Sequence, residues 1–216
     1  MARTKEQNSQ MVLKTKKTII EVALKEFALK GFAYASIRDI AKAAGMSTGI
    51  IYRYFESKEC LFTDVVKKAV NSLTHSIKEI ENTNLDPYTT LHHITEKVLV
   101  DINTSKETAL YFLLMSRSLI EGESISVINI FRRQDLLLFE KTAALIEQGQ
   151  MIGEFKNGDP YQLSLYYYSC LQGIANMSFF LKEDYLSPKA HDILAFLMKC
   201  PEKEGGNKCG FSKTYE

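Results

Sequence analysis

The chain has 216 residues, 45% of them hydrophobic and 25% charged, and a net charge of +1. That balance suits one or two compact soluble domains with a sizeable core. The four cysteines, Cys60, Cys170, Cys200 and Cys209, lack C-x-x-C spacing, no apolar run reaches transmembrane length and no apolar leader precedes a cleavage site, so a cytoplasmic protein with reduced thiols is expected, away from membranes and without disulfide staples.

The charge is unevenly spread. Residues 1–68 carry 13 Lys and Arg against 7 Asp and Glu, whereas the remaining residues carry 14 against 19. A basic N-terminal part on an acidic remainder is the footprint of a nucleic-acid-binding head joined to a body that stays off the polyanion. Residues 1–13, with Arg3 and Lys5, read as a flexible basic arm in which a solvated tail and a backbone contact are both open.

The most informative stretch runs from Ser36 to Leu61. Ser36 and Asp39 have capping-box spacing, and Ile37, Ile40, Ala41 and Ala44 then repeat at helical intervals. Gly45 follows, suited to a left-handed C′ position and a sharp turn; Met46 can pack in the angle and Ser47 can cap the next helix. That helix is short, about Thr48 to Phe55. Ile51 and Phe55, four apart, share the inward face, which leaves Thr48, Gly49, Tyr52, Arg53 and Tyr54 on the outward arc. A hydroxyl, a bare backbone, phenols and a guanidinium suit phosphates and base edges; an amphipathic helix with surface aromatics is the plainer reading of the same spacing. Ser57 is a candidate N-cap, placing Lys58 at the positive end of the following helix. A lone cation is mildly unfavourable there, and a docked phosphate would reverse that sign; a solvated lysine offset by Glu56 and Glu59 is the alternative.

With those residues in order, the segment from about Thr15 to Val70 resembles the DNA-binding domain of TetR/AcrR-type transcriptional regulators. The match comprises Ile20, Ala23, Leu24, Phe27, Ala28 and Gly31-Phe32 on a first helix, then Ser36 to Ala41, Ala44-Gly45, Ser47-Thr48-Gly49, Ile51 to Phe55, Ser57-Lys58 and Leu61-Phe62. The resemblance implies an all-α fold, with a helix-turn-helix domain over 14–72 and a helical ligand-binding and dimerisation domain over 73–200, about nine helices in total; the Gly-, Lys- and Glu-rich residues 201–216 are expected to be a disordered tail. It implies DNA-binding roles for Ser36, Arg38, Thr48, Gly49, Tyr52, Tyr54 and Lys58, with Ser36, Tyr54 and Lys58 on the backbone, Thr48, Gly49 and Tyr52 in the major groove and Arg38 on a base or the backbone; Arg53, on the outward arc, is a further candidate DNA contact. Ile50 stands where many members carry a threonine or serine, so that phosphate contact is not carried over.

Beyond the head the pattern stays helical. A fourth helix is expected over about Lys58 to Glu81, long enough to connect head and body, followed by punctuation at Asn82 to Pro87. Further helices are expected to about Asn103, over Lys106 to Ile120, over Ser126 to Gln148, to Leu181, and from Ser187-Pro188 to about Lys199. The helix ending at Leu181 is apolar nearly all round, which demands burial on several sides. Tyr166, Ile174, Met177, Ser178 and Leu181, joined by Ile193 and Leu197 of the last helix, are therefore candidates for a homodimer interface, with a central helix of a monomeric bundle as the alternative. Two heads about 34–36 Å apart would read a palindromic operator in double-stranded DNA.

For a small-molecule effector, Phe112, Met115, Phe131, Phe139 and Tyr167 are candidate apolar lining and His92, Arg117 and Gln172 candidate polar groups, although core packing is the more frequent explanation of any one of the apolar residues. His92 and His93 are adjacent, so their rings diverge on a helix and make a poor metal site. No cofactor is implied. The chain lacks G-x-G-x-x-G, Walker A, H-E-x-x-H and E-x-x-H motifs, so a non-enzymatic, ligand-responsive regulator, most simply a repressor, is the expectation; a helical ligand-binding or adaptor protein with a vestigial head is the alternative.

Overall fold

The computed structural model describes residues 5–82, 84–120 and 125–199, so the tail over 201–216, with Cys200 and Cys209, lies outside the described residues. Among the described residues nine α-helices follow one another: α1 Lys5–Lys30, α2 Ile37–Ala43, α3 Thr48–Tyr54, α4 Lys58–Asn82, α5 Pro87–Asn103, α6 Glu107–Ile120, α7 Ile125–Met151, α8 Pro160–Leu181 and α9 Ala190–Leu194. The expected all-α architecture is the observed one.

The head is α1 to α3 with the first turns of α4. Ile19, Ala23, Phe27, Ile40, Ile51, Leu61 and Val66 are each wholly or almost wholly removed from solvent, one contiguous apolar centre drawn from four helices. Phe27 and Phe62 meet edge to face with centroids 5.0 Å apart, and Phe32 lies 4.8 Å from Phe62. Gly31 and Gly45 both adopt positive φ, +82° and +66°, at the ends of α1 and α2, where a side chain would be strained. One expectation is corrected: residues 5–13 are not a loose arm but continue α1, which is 26 residues long.

α4 leaves the head and packs along α7, while α1 lies against α6, so head and body share two helix–helix seams. In the body, α5 starts at the N-cap Asp86, which accepts a hydrogen bond from the Thr89 amide, with Pro87 in the first turn. α8 likewise starts at Asp159 and Pro160. Two buried hydroxyl pairs tie α8 to its neighbours: Tyr167 Oη to Thr95 Oγ1 of α5 and Tyr168 Oη to Thr142 Oγ1 of α7, both at 2.8 Å. Thr95 Oγ1 donates to the Leu91 carbonyl, so it receives its proton from Tyr167.

The last helix is shorter than its apolar spacing suggests. α9 spans five residues; Ala195–Leu197 winds as a 3-10 turn, and Met198 is extended so that its backbone bridges Phe155, with the Lys156 amide donating to the Leu197 carbonyl at 2.8 Å. Ile193, Leu194 and Leu197 are buried either way, because inward spacing is compatible with both windings.

Two outcomes test this packing. Gly149→Ala would drive a Cβ into the buried Phe155 ring and should cost about 1–3 kcal/mol in urea unfolding. Tyr167→Phe should cost about 1 kcal/mol. Burial also pushes the Tyr167 phenol well above its usual range, so the stability gained by keeping it neutral is present below its ordinary pKa of about 10 and lost as pH rises beyond it; the phenylalanine variant should show a shallower alkaline loss.

Candidate nucleic-acid interface

The recognition helix α3 is built by two caps and one plug. Ser47 Oγ accepts from the Ile50 amide at 3.3 Å, and the Phe55 amide closes on the Ile51 carbonyl. Ile51 is fully buried and Phe55 nearly so. That fixes the opposite face outward: Thr48, Gly49 and Arg53 are exposed and Tyr52 is 54% exposed. Tyr54, expected on the same arc, is half-buried and packs against the head core. Ile50 is also exposed, an apolar residue on a face otherwise supplied with polar groups.

α2 supplies the second edge. Ser36 caps it: its Oγ accepts from the Asp39 amide at 3.1 Å, and its hydroxyl donates to the Asp39 carboxylate. Asp39 is held below the ordinary carboxylate range, first by its hydrogen bond with Ser36 and then by the Lys30 ammonium. Arg38 is exposed, and together with Lys42, Met46 and Thr48 it lines a shallow hollow between α2 and α3. Lys42 was missed from sequence; it lies one helical turn beyond Arg38, a signal that was available.

Lys58 departs from the expectation of a cation free at a helix end. Its Nζ donates to the carbonyls of Phe32 at 2.7 Å and Ala35 at 3.0 Å, and sits 4.4 Å from the Phe32 ring centroid. The ammonium therefore staples the α1–α2 loop to the start of α4. Ser57 is the expected cap, accepting from the Cys60 amide at 3.2 Å.

The body residues named for an effector occupy different surroundings among the described residues. Phe112, Phe131 and Tyr167 are buried in the core, where Tyr111 contacts the first two rings; Phe139 packs between Tyr161 and Tyr168. Met115 and Arg117 are half-buried, Gln172 donates to Ser116 Oγ at 2.8 Å, and His92 lies apart, beside Tyr88 and Glu96. Of the residues named for a dimer interface, Ser178, Ile193 and Leu197 are buried within their own chain and cannot face a partner without rearrangement, and Ile174 is half-buried. Tyr166, Met177 and Leu181 are exposed, joined by Leu165 and a 77% exposed Phe180. The reason is the narrower inward stripe of α8, which uses Leu163, Tyr167, Leu171, Ala175 and Ser178.

Residues 19–65 match the model of the family described as bacterial regulatory proteins, tetR family. The chain is 32% identical over 140 residues to the HTH-type transcriptional regulator SAR0097 of Staphylococcus aureus, covering 63% of this chain and 68% of that protein. It is 23% identical over 146 residues to the HTH-type transcriptional repressor KstR2 of Rhodococcus jostii, covering 68% and 70%. The crystal structure of the MbdR regulator from Azoarcus sp. CIB superimposes with a TM-score of 0.72 at 19% identity, over 85% of this chain and 97% of that one. The protein is a helix-turn-helix DNA-binding transcriptional regulator, and it belongs to the TetR family.

The staple predicts that Lys58→Met lowers stability by about 1–3 kcal/mol and speeds hydrogen exchange in the α1–α2 loop even without DNA. A lysine serving a phosphate alone would change neither.

Proposed function

We propose that the protein binds a palindromic operator as a homodimer, represses the adjoining transcription unit, and is released by a small-molecule effector. The observation that carries the DNA reading is the division of α3: Ile51 fully buried, Thr48, Gly49, Tyr52 and Arg53 facing out. Thr48, Gly49 and Tyr52 enter the major groove, where hydroxyl and backbone reach base edges, while Ser36, Arg38, Arg53 and Tyr54 hold the phosphates. Lys58 spends two N–H groups on protein carbonyls, and its third is available to a phosphate.

A seven-residue helix reads few base pairs, so affinity and selectivity require a second copy. The exposed outer face of α8, with Tyr166, Met177, Phe180 and Leu181, supports an isologous contact through α8 of each protomer. An effector that fits the body better in a non-binding arrangement lowers operator affinity by its differential affinity for the two states. α4, continuous from Lys58 to Asn82 and packed on α7, carries the change.

Titrating salt against a dyad-symmetric duplex should give a slope of about −0.9 in log K per log[salt] for each phosphate neutralised. Tyr52→Ala should relax discrimination among sequences by about 1–3 kcal/mol per base pair read while leaving the salt slope in place. Met177→Asp should shift sedimentation from dimer to monomer with unchanged far-UV circular dichroism; a fully dimeric variant would refute the α8 contact.

A further inference from the structure

A cavity of about 160 Å³ lies where the head meets the body. Its apolar wall comes from Ile20 and Leu24 of α1 and Val65 and Ala69 of α4, and the buried Tyr111 of α6 adds an aromatic face. Its polar rim comes from Lys68 and from the α5–α6 turn, through Asp101, Glu107 and Thr108.

That rim is organised before any ligand arrives. Asp101 clasps the turn: its Oδ2 accepts from the Thr108 amide at 2.6 Å, its Oδ1 accepts from the Ser105 hydroxyl, and its carbonyl accepts from the Lys106 amide at 2.7 Å. Lys106 is held at a positive φ of +60° by this closure. Asp101 thus fills the anion position at the start of α6. The rim cation, Lys68, is met by Glu21 at 3.3 Å. The Glu107 carboxylate and the Thr108 hydroxyl have no partner among the described residues. The unmatched charge at this cavity is negative, and both groups can accept: the carboxylate only accepts, and the hydroxyl can accept as well as donate.

We propose that this cavity is a binding site for a small organic ammonium with a short apolar tail. The tail would lie against Ile20, Leu24, Val65 and Ala69, and the ammonium would meet Glu107, Thr108 and the open side of Asp101, with the Tyr111 ring adding a cation–π contact. A carboxylate or phosphate ligand would face two carboxylates in the position that Asp101 already fills. The site differs from the aromatic cluster of the body core, since it joins α1 and α4 of the head to α5 and α6 of the body. A ligand lodged there would bias the angle between them, a consequence that rests on the effector reading above; the binding itself does not.

The test uses the full-length protein without DNA and n-butylammonium as probe, with 1-butanol as its neutral counterpart and butyrate as its anionic one. Amide chemical-shift titration should place butylammonium at residues 101–111 and 65–69, at least about tenfold tighter than 1-butanol, with butyrate not binding. Glu107→Gln should weaken butylammonium several-fold and leave 1-butanol unchanged. Ala69→Leu, which fills the cavity, should abolish both. Equal affinity for the ammonium and the alcohol, shifts centred elsewhere, an unaffected Glu107→Gln variant, or no binding by about 50 mM would each overturn the proposal. None of these results depends on operator recognition, so its failure is distinguishable from failure of the regulatory reading.

Discussion

A helix of seven residues has no stability of its own: nucleation is costly, and isolated helices below about 12–15 residues are marginal in water. α3 exists because Ile51 is fully buried in the head core and Phe55 closes the C-terminal end. This one anchored side chain has two consequences. It sets the rotation of the helix, and so determines that Thr48, Gly49, Tyr52 and Arg53 face outward. It also makes the position of α3 depend on α1, α2 and α4, which supply the remainder of that core. The recognition surface is therefore as rigid as the head beneath it.

The head's attachment to α4 is similarly economical. Lys58 binds two loop carbonyls and stacks on Phe32, Lys16 pairs with Asp64 at 2.8 Å, and Phe62 interlocks with Phe27 and Phe32. On the proposed mechanism, movement of α4 against α7 carries the head with it, since Lys58 and Phe62 tie its first turns to the α1–α2 loop. This is the mechanical requirement for coupling a distant site to DNA affinity: a discrete element whose position both sites bias.

Much of the head was legible in the sequence because local chemistry and global packing agree there. The caps at Ser36, Ser47 and Ser57, the turn at Gly45 and the inward pair Ile51 and Phe55 each follow from short-range rules. The helix order of the body was equally readable from its apolar spacing and from the punctuation at Asn82 to Pro87. What failed depends on distant partners. Lys58 reads as a free cation until its partners 26 and 23 residues earlier are known. The burial of Ser178 and Leu197, and the short winding of α9, are decided by the Phe155–Met198 bridge and by neighbours on other helices. The junction cavity has no sequence signal, since its lining is collected from α1, α4, α5 and α6. The helical course of α1 below residue 14 has little local signal, since the apolar residues there, Met11, Val12 and Leu13, stay exposed.

Recognition by this regulator depends, on the proposed reading, on the outward face of α3 meeting DNA bases, and site-specific photocrosslinking addresses that contact most directly. A photoreactive side chain at position 52, irradiated in a complex with dyad-symmetric duplex, should attach to bases at symmetric positions in both half-sites. Attachment only to protein, with the duplex still bound, would show that another surface holds the nucleic acid and would contradict the assignment of α3.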